Sequence, residues 1–128
     1  MQTNKVVLKF KDHSLIKGNT TDFMPNKKNF HLHCLNGEIK EINIEDLKAI
    51  FFVRDFDGNK KYNYEYIETI PGAGRKINVK FFDGESIIGY TLGYSKERTG
   101  FYMTPADRKG NNERIFVVSS AAEKIEFK

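Results

Sequence analysis

The chain has 128 residues, of which 39% are hydrophobic, enough for one compact domain or two very small ones, and 11 Phe and 6 Tyr without a Trp predict a Phe-rich core. A net charge of +4, from 21 basic and 17 acidic residues, admits nucleic acid as a partner without requiring it. No apolar run approaches the roughly 18 residues of a membrane span, the N-terminus is polar, and the lone Cys34 excludes an internal disulfide, so the expectation is a cytoplasmic protein without membrane contact.

Val6, Leu8 and Phe10 alternate with Val7 and Lys9, the period of a half-buried strand. The stretch KVVLKFKDHSLIKGNT at residues 5–20 returns 71 residues later as KINVKFFDGESIIGYT at residues 76–91. Each copy therefore opens with a strand, a turn and a second strand. A three-residue loop, Lys11 to His13 or Phe82 to Gly84, pairs Leu8 with Ile16 and Val79 with Ile87 if His13 and Gly84 take left-handed conformations. Gly18 and Gly89 then lie inside the second strands, where glycine marks a bend or a close backbone approach.

Further along, Thr20 and Phe23 match Thr91 and Tyr94, and NFHLH at residues 29–33 matches GFYMT at 100–104, predicting a third strand in each copy. Fourth strands follow over residues 39–44 and 114–118, single helical turns over 45–48 and 119–122, and last strands over 49–53 and 124–127. Glu45 and Asp46 suit the first turn of a short helix better than an acid pair. Between the copies, Asp57-Gly58-Asn59 and residues 71–74 carry turn signals, and Tyr62, Tyr64 and Tyr66 alternate as an extended arm would. The expected fold is all-β: two tandem small bent-strand barrels of about five strands each, residues 1–53 and 76–128, joined by a Tyr-rich arm at 54–75.

This order of strand, Asp-Gly turn, bent strand, Phe-containing strand and short helical turn resembles the Sm-like and SH3-like small barrels. More specifically, FKDHSLIKGNTTDF at 10–23, GYTLGY at 89–94, PAD at 105–107 and NNERIFVV at 111–118 resemble an uncharacterised bacterial family. The resemblance implies tandem Sm-like repeats, no assigned activity, and an association with signalling proteins, including those that carry PilZ domains. PilZ domains bind cyclic di-GMP through paired arginines four residues apart and an Asp/Asn-x-Ser-x-x-Gly motif. Here Ser86 and Gly89 fit the second motif, but Gly84 stands in the acidic place, and none of Arg54, Arg75, Arg98, Arg108 and Arg114 makes the arginine pair. Without paired guanidinium forks a bisphosphate loses its best anchors, so a shared hairpin accounts for the match better.

No Gly-x-Ser-x-Gly, P-loop or carboxylate pair at helical spacing points to catalysis, and no catalytic residue or cofactor is assigned. His31, His33 and Cys34 are the only cluster of potential metal ligands; without a second Cys they read as the polar face opposite Phe30 and Leu32, and no metal is expected. The leading expectation is a non-catalytic binding or regulatory adaptor acting through protein–protein contacts, with self-association through exposed strand edges. The alternative is Sm-like binding of RNA or another single strand. It rests on the matched basic loops, Lys27 and Lys28 against Lys96 and Arg98, with Arg108, Lys109 and Arg114 adding to the second copy. Tyr90, Tyr94 or Tyr102 would supply stacking rings, whereas Glu97 and Asp107 interrupt the positive charge.

Overall fold

Alternating apolar residues form ten strands in the computed structural model, which describes residues 3–54, 56, 74–95, 97–105 and 112–127. They are β1 (Asn4–Phe10), β2 (Leu15–Thr20), β3 (Asn29–Cys34), β4 (Ile39–Asn43), β5 (Leu47–Val53), β6 (Arg75–Phe81), β7 (Ser86–Thr91), β8 (Gly100–Pro105), β9 (Asn112–Val118) and β10 (Ala122–Phe127). Two single 3-10 turns, Ile44–Asp46 and Ser119–Ala121, link β4 to β5 and β9 to β10. Asn43 caps the first, its side-chain oxygen accepting the Glu45 N–H at 3.0 Å. No α-helix occurs among the described residues, and no helix is long and apolar enough to cross a membrane.

Both opening hairpins have the register their patterns predict. Leu8 pairs with Ile16 and Val79 with Ile87. His13 and Gly84 take the left-handed slot at φ of 75° and 92°. In each turn the preceding aspartate accepts a backbone N–H two residues on, Asp12 from Ser14 and Asp83 from Glu85, both at 2.9 Å. The residues that looked like part of a PilZ motif thus build this turn and strand β7.

The sheet is a single open one of ten antiparallel strands, in the order β10-β6-β7-β8-β9-β5-β1-β2-β3-β4. Two barrels were expected from the sequence; the difference comes from β9, which pairs along β5 from Ala49–Val117 to Val53–Asn112 and makes the two five-strand sets continuous. Strand β5 is buried at every position, so an apolar residue is needed on both of its faces. One face carries Ile50 and Phe52 into a core with Leu8, Phe30, Leu32 and Phe116. The other carries Ala49, Phe51 and Val53 into a core with Val79, Phe81, Phe101 and Ile115. Each core therefore takes side chains from both halves. A second tie is Lys48 on β5, 6% exposed, whose ammonium donates to Asp83 Oδ2 and Glu85 Oε1 at 2.8 Å each in the turn of the other half. The tyrosines of the arm, with residues 55 and 57–73, lie outside the described residues.

Candidate binding groove

The third strand of each half is held to the second only at its far end. β2 pairs with β3 at Gly18–Cys34 and Asn19–His33, and β7 with β8 at Gly89–Pro105 and Tyr90–Thr104; past these pairs the strands part. In the first half the opening is filled by a carboxylate. Asp22 Oδ1 accepts the His31 backbone N–H at 2.9 Å and the Thr20 hydroxyl at 3.2 Å, while Oδ2 stands 2.7 Å from His31 Nδ1. Burial pushes this carboxyl upward, but the hydrogen bonds from His31 and Thr20 outweigh it and hold the group below the usual carboxylate range. Phe23 closes the space beneath, with its ring 5.1 Å from both Phe30 and Phe116.

The second half has the same pairing register here and different side chains. Gly93 stands at the place of Asp22 and Tyr102 at that of His31, each 71 residues on. The Thr91 hydroxyl donates to the Tyr102 carbonyl at 2.8 Å, and Tyr94 takes the part of Phe23, edge-on to Phe101 at 5.1 Å. A cavity of about 740 Å³ opens here, lined by Leu92, Gly93, Arg98, Tyr102 and Arg114 on this half and by Pro25 and Asn26 from the β2–β3 loop of the other. Loops from both halves thus wall one groove.

Arg114 lies at the seam. Its guanidinium is 4.2 Å from the centre of the Phe52 ring and 5.2 Å from that of Tyr102, so it lies over two aromatic rings. Among the described residues no carboxylate forms an ion pair with it. Burial raises the Tyr102 phenol above its ordinary value, and the nearby Arg114 charge opposes that only in part.

A profile described as a family of unknown function, DUF6982, matches residues 2–127. The chain belongs to this family. No curated protein and no solved structure matches it.

In this DUF6982 member the residues singled out from sequence separate. Arg98 and Arg114 line the groove. Lys27 and Lys28 are exposed on the β2–β3 loop but are not part of its lining; their backbones bond to Met24 and Ile44. Lys96, Arg108 and Lys109 lie outside the described residues. The three candidate stacking rings are engaged: Tyr90 is 3% exposed, Tyr94 packs on Phe101 and Phe127, and Tyr102 sits between Phe116 and Arg114. His31 and His33 are exposed opposite the buried Phe30 and Leu32, and His31 is committed to Asp22. Among the described residues no three His, Cys, Asp or Glu side chains converge on a metal position. Leu92, Gly93, Pro25 and Asn26 were not singled out from sequence. Aligning the halves at their offset of 71 sets Gly93 against Asp22, and that is the one signal in the chain that marks the place.

Proposed function

We propose that this DUF6982 chain is a non-catalytic adaptor of a bacterial cytoplasmic system, associated with PilZ-type signalling, and that it holds a segment of a partner protein in the groove. The observation that carries this is the groove's composition. Leu92 is 80% exposed and lines the groove together with Pro25, Tyr102 and Arg114. An exposed apolar residue that shares a groove with a cation is the makeup of a protein contact, with an anchor to bury and a charge to set orientation. Among the described lining residues Glu97 is the single carboxylate and there is no His, Cys or Ser. The order β5-β1-β2-β3-β4, repeated as β10-β6-β7-β8-β9, supports reading the halves as Sm-like units over residues 1–53 and 76–128.

The nucleic-acid reading has less behind it, because the stacking rings are occupied and only two of the described basic candidates reach the groove. Wild-type protein at physiological salt is expected to bind single-stranded RNA no more tightly than the non-specific range of about 10⁻⁴ to 10⁻⁶ M. Affinity capture on the full chain is expected to retain a protein partner through nuclease treatment and lose it with Leu92→Asp. Nanomolar RNA binding, abolished when Lys27, Lys28, Lys96 and Arg98 are neutralised together in a folded protein, would overturn the adaptor reading.

A further inference from the structure

The protein contains its own example of how this backbone holds an anion. In the first half the Asp22 carboxylate takes the N–H of His31 and the hydroxyl of Thr20 where β2 and β3 part. In the second half Thr91 and Tyr102 stand at the corresponding positions, Gly93 removes the carboxylate, and the Thr91 hydroxyl donates to the Tyr102 carbonyl instead. The backbone does not call for a glycine there. Its φ is not in the left-handed region, and a Cβ built on it would meet nothing within 4 Å. What the glycine leaves is space, and that space belongs to the groove.

Two cations face the same space. Arg98 and Arg114 both line the cavity, and the Arg114 guanidinium is placed over Phe52 and Tyr102. A guanidinium placed over aromatic rings does not spend its N–H groups on their faces, which leaves them for a bidentate acceptor, for which a carboxylate is the matching shape. The ordering cost of that side chain is met within the fold, so more of the pair's energy remains for binding.

Resting on the groove as the contact surface, we infer that it recognises a carboxylate on the partner segment, seated where Gly93 leaves the place of Asp22 and facing Arg114, with a neighbouring apolar side chain against Leu92 and Pro25. The partner is thus an extended protein segment with a glutamate, an aspartate or a free C-terminus beside an apolar residue. Asp22 in the first half acts as a built-in occupant of the equivalent place, so the first half takes no such ligand.

The experiment is an amide chemical-shift titration of the isotope-labelled full chain with four probes. These are acetylated, amidated Leu-Glu-Leu; its Leu-Gln-Leu analogue; Leu-Gln-Leu with a free C-terminus; and oligouridylate. The two carboxylate peptides are expected to shift Leu92, Gly93, Tyr102 and Arg114 and to bind at least about tenfold more tightly than the neutral peptide. The tighter of the two shows whether a side chain or a terminus is read. Gly93→Asp, which restores the internal carboxylate, and Arg114→Gln should each erase the tenfold preference in a protein whose other shifts are unchanged, and Asp22→Asn should leave it intact. If the neutral peptide binds the groove equally well and Gly93→Asp changes nothing, the carboxylate inference is overturned while the groove reading stands. If no peptide shifts these residues, the groove reading falls with it. Shifts from oligouridylate alone would transfer the site to nucleic acid.

Discussion

Gly89 and Gly93 lie four residues apart in the second half and have opposite reasons to be glycine. A Cβ on Gly89 would sit 2.4 Å from the Thr104 carbonyl oxygen, and one on the equivalent Gly18 would sit 2.5 Å from that of His33. These contacts are with backbone across a strand pair, which cannot yield without opening the pair. Gly89→Ala is therefore expected to destabilise the fold by about 1–3 kcal/mol, in the range of other overpacking changes. Gly93→Ala meets open space and should change stability by less than about 1 kcal/mol. Urea titration of both variants checks the contrast. Equal losses would mean that Gly93 has a structural duty after all and would weaken the case for its having a ligand.

The turn between β6 and β7 does more than reverse the chain. Asp83 fixes the turn through the Glu85 N–H and, with Glu85, also binds the buried Lys48 of the other half. Removing both carboxylates strands a buried ammonium, so Asp83→Ala with Glu85→Ala is expected to cost roughly 3 kcal/mol or more. Lys48→Met replaces the charge by a chain of similar volume beside Phe81, leaves the carboxylates to water, and should cost less than about 1 kcal/mol. The hydrogen bond from Lys48, then that with the Glu85 backbone, hold the Asp83 carboxyl below its ordinary value. A carboxyl with a lowered folded-state value stabilises above the ordinary carboxylate range and loses that contribution as pH falls through its folded value. Burial works against the Lys48 charge, but its two carboxylate partners outweigh burial and raise it, so its share is present below its ordinary value and fades only in strong alkali. Acid unfolding followed by circular dichroism should begin at higher pH in wild type than in Lys48→Met, scaled to each variant's neutral-pH stability. Identical acid profiles would show that the ion cluster contributes nothing.

Across the whole molecule the two halves share one strand pairing, β5 with β9, and the equivalent strands β4 and β10 are left as edges. The joint is apolar on both faces; the edges are not. β4 has Lys40 and Glu41 where β9 has Ile115 and Phe116, and β10 has Lys124 and Glu126, paired at 2.7 Å, where β5 has Ala49 and Phe51. Repeating the joint between two copies would bury those four charges against apolar cores, and charged edges are a common guard against such pairing. Strand-edge self-association, expected from the repeat, is thereby disfavoured, and sedimentation should give a monomer. Lys40→Ile and Glu41→Phe with Lys124→Ala and Glu126→Phe, which copy the apolar pattern of the joint at those places, should self-associate. A wild-type dimer or ring that the quadruple variant leaves unchanged would mean that other surfaces govern assembly.

Periodicity, turn chemistry and the internal match were local signals, and they determined the strands, the left-handed place of His13, the close approach at Gly18 and Gly89, and the pairing of Val79 with Ile87. Each depends on residues a few positions apart, whose sterics the chain carries wherever it folds. The run of apolar residues from Ala49 to Val53 held a further message, burial on both faces, but which strand would pair along its second edge and bring the other half's core against it was not written beside it. Only the tertiary structure decided that β9 does, because pairing between distant strands is chosen by the burial it achieves over the whole sheet. The groove followed from the same choice. Arg114 had no marker in sequence beyond its charge, and it acquired an aromatic shelf when the joint set it over Phe52 of the other half.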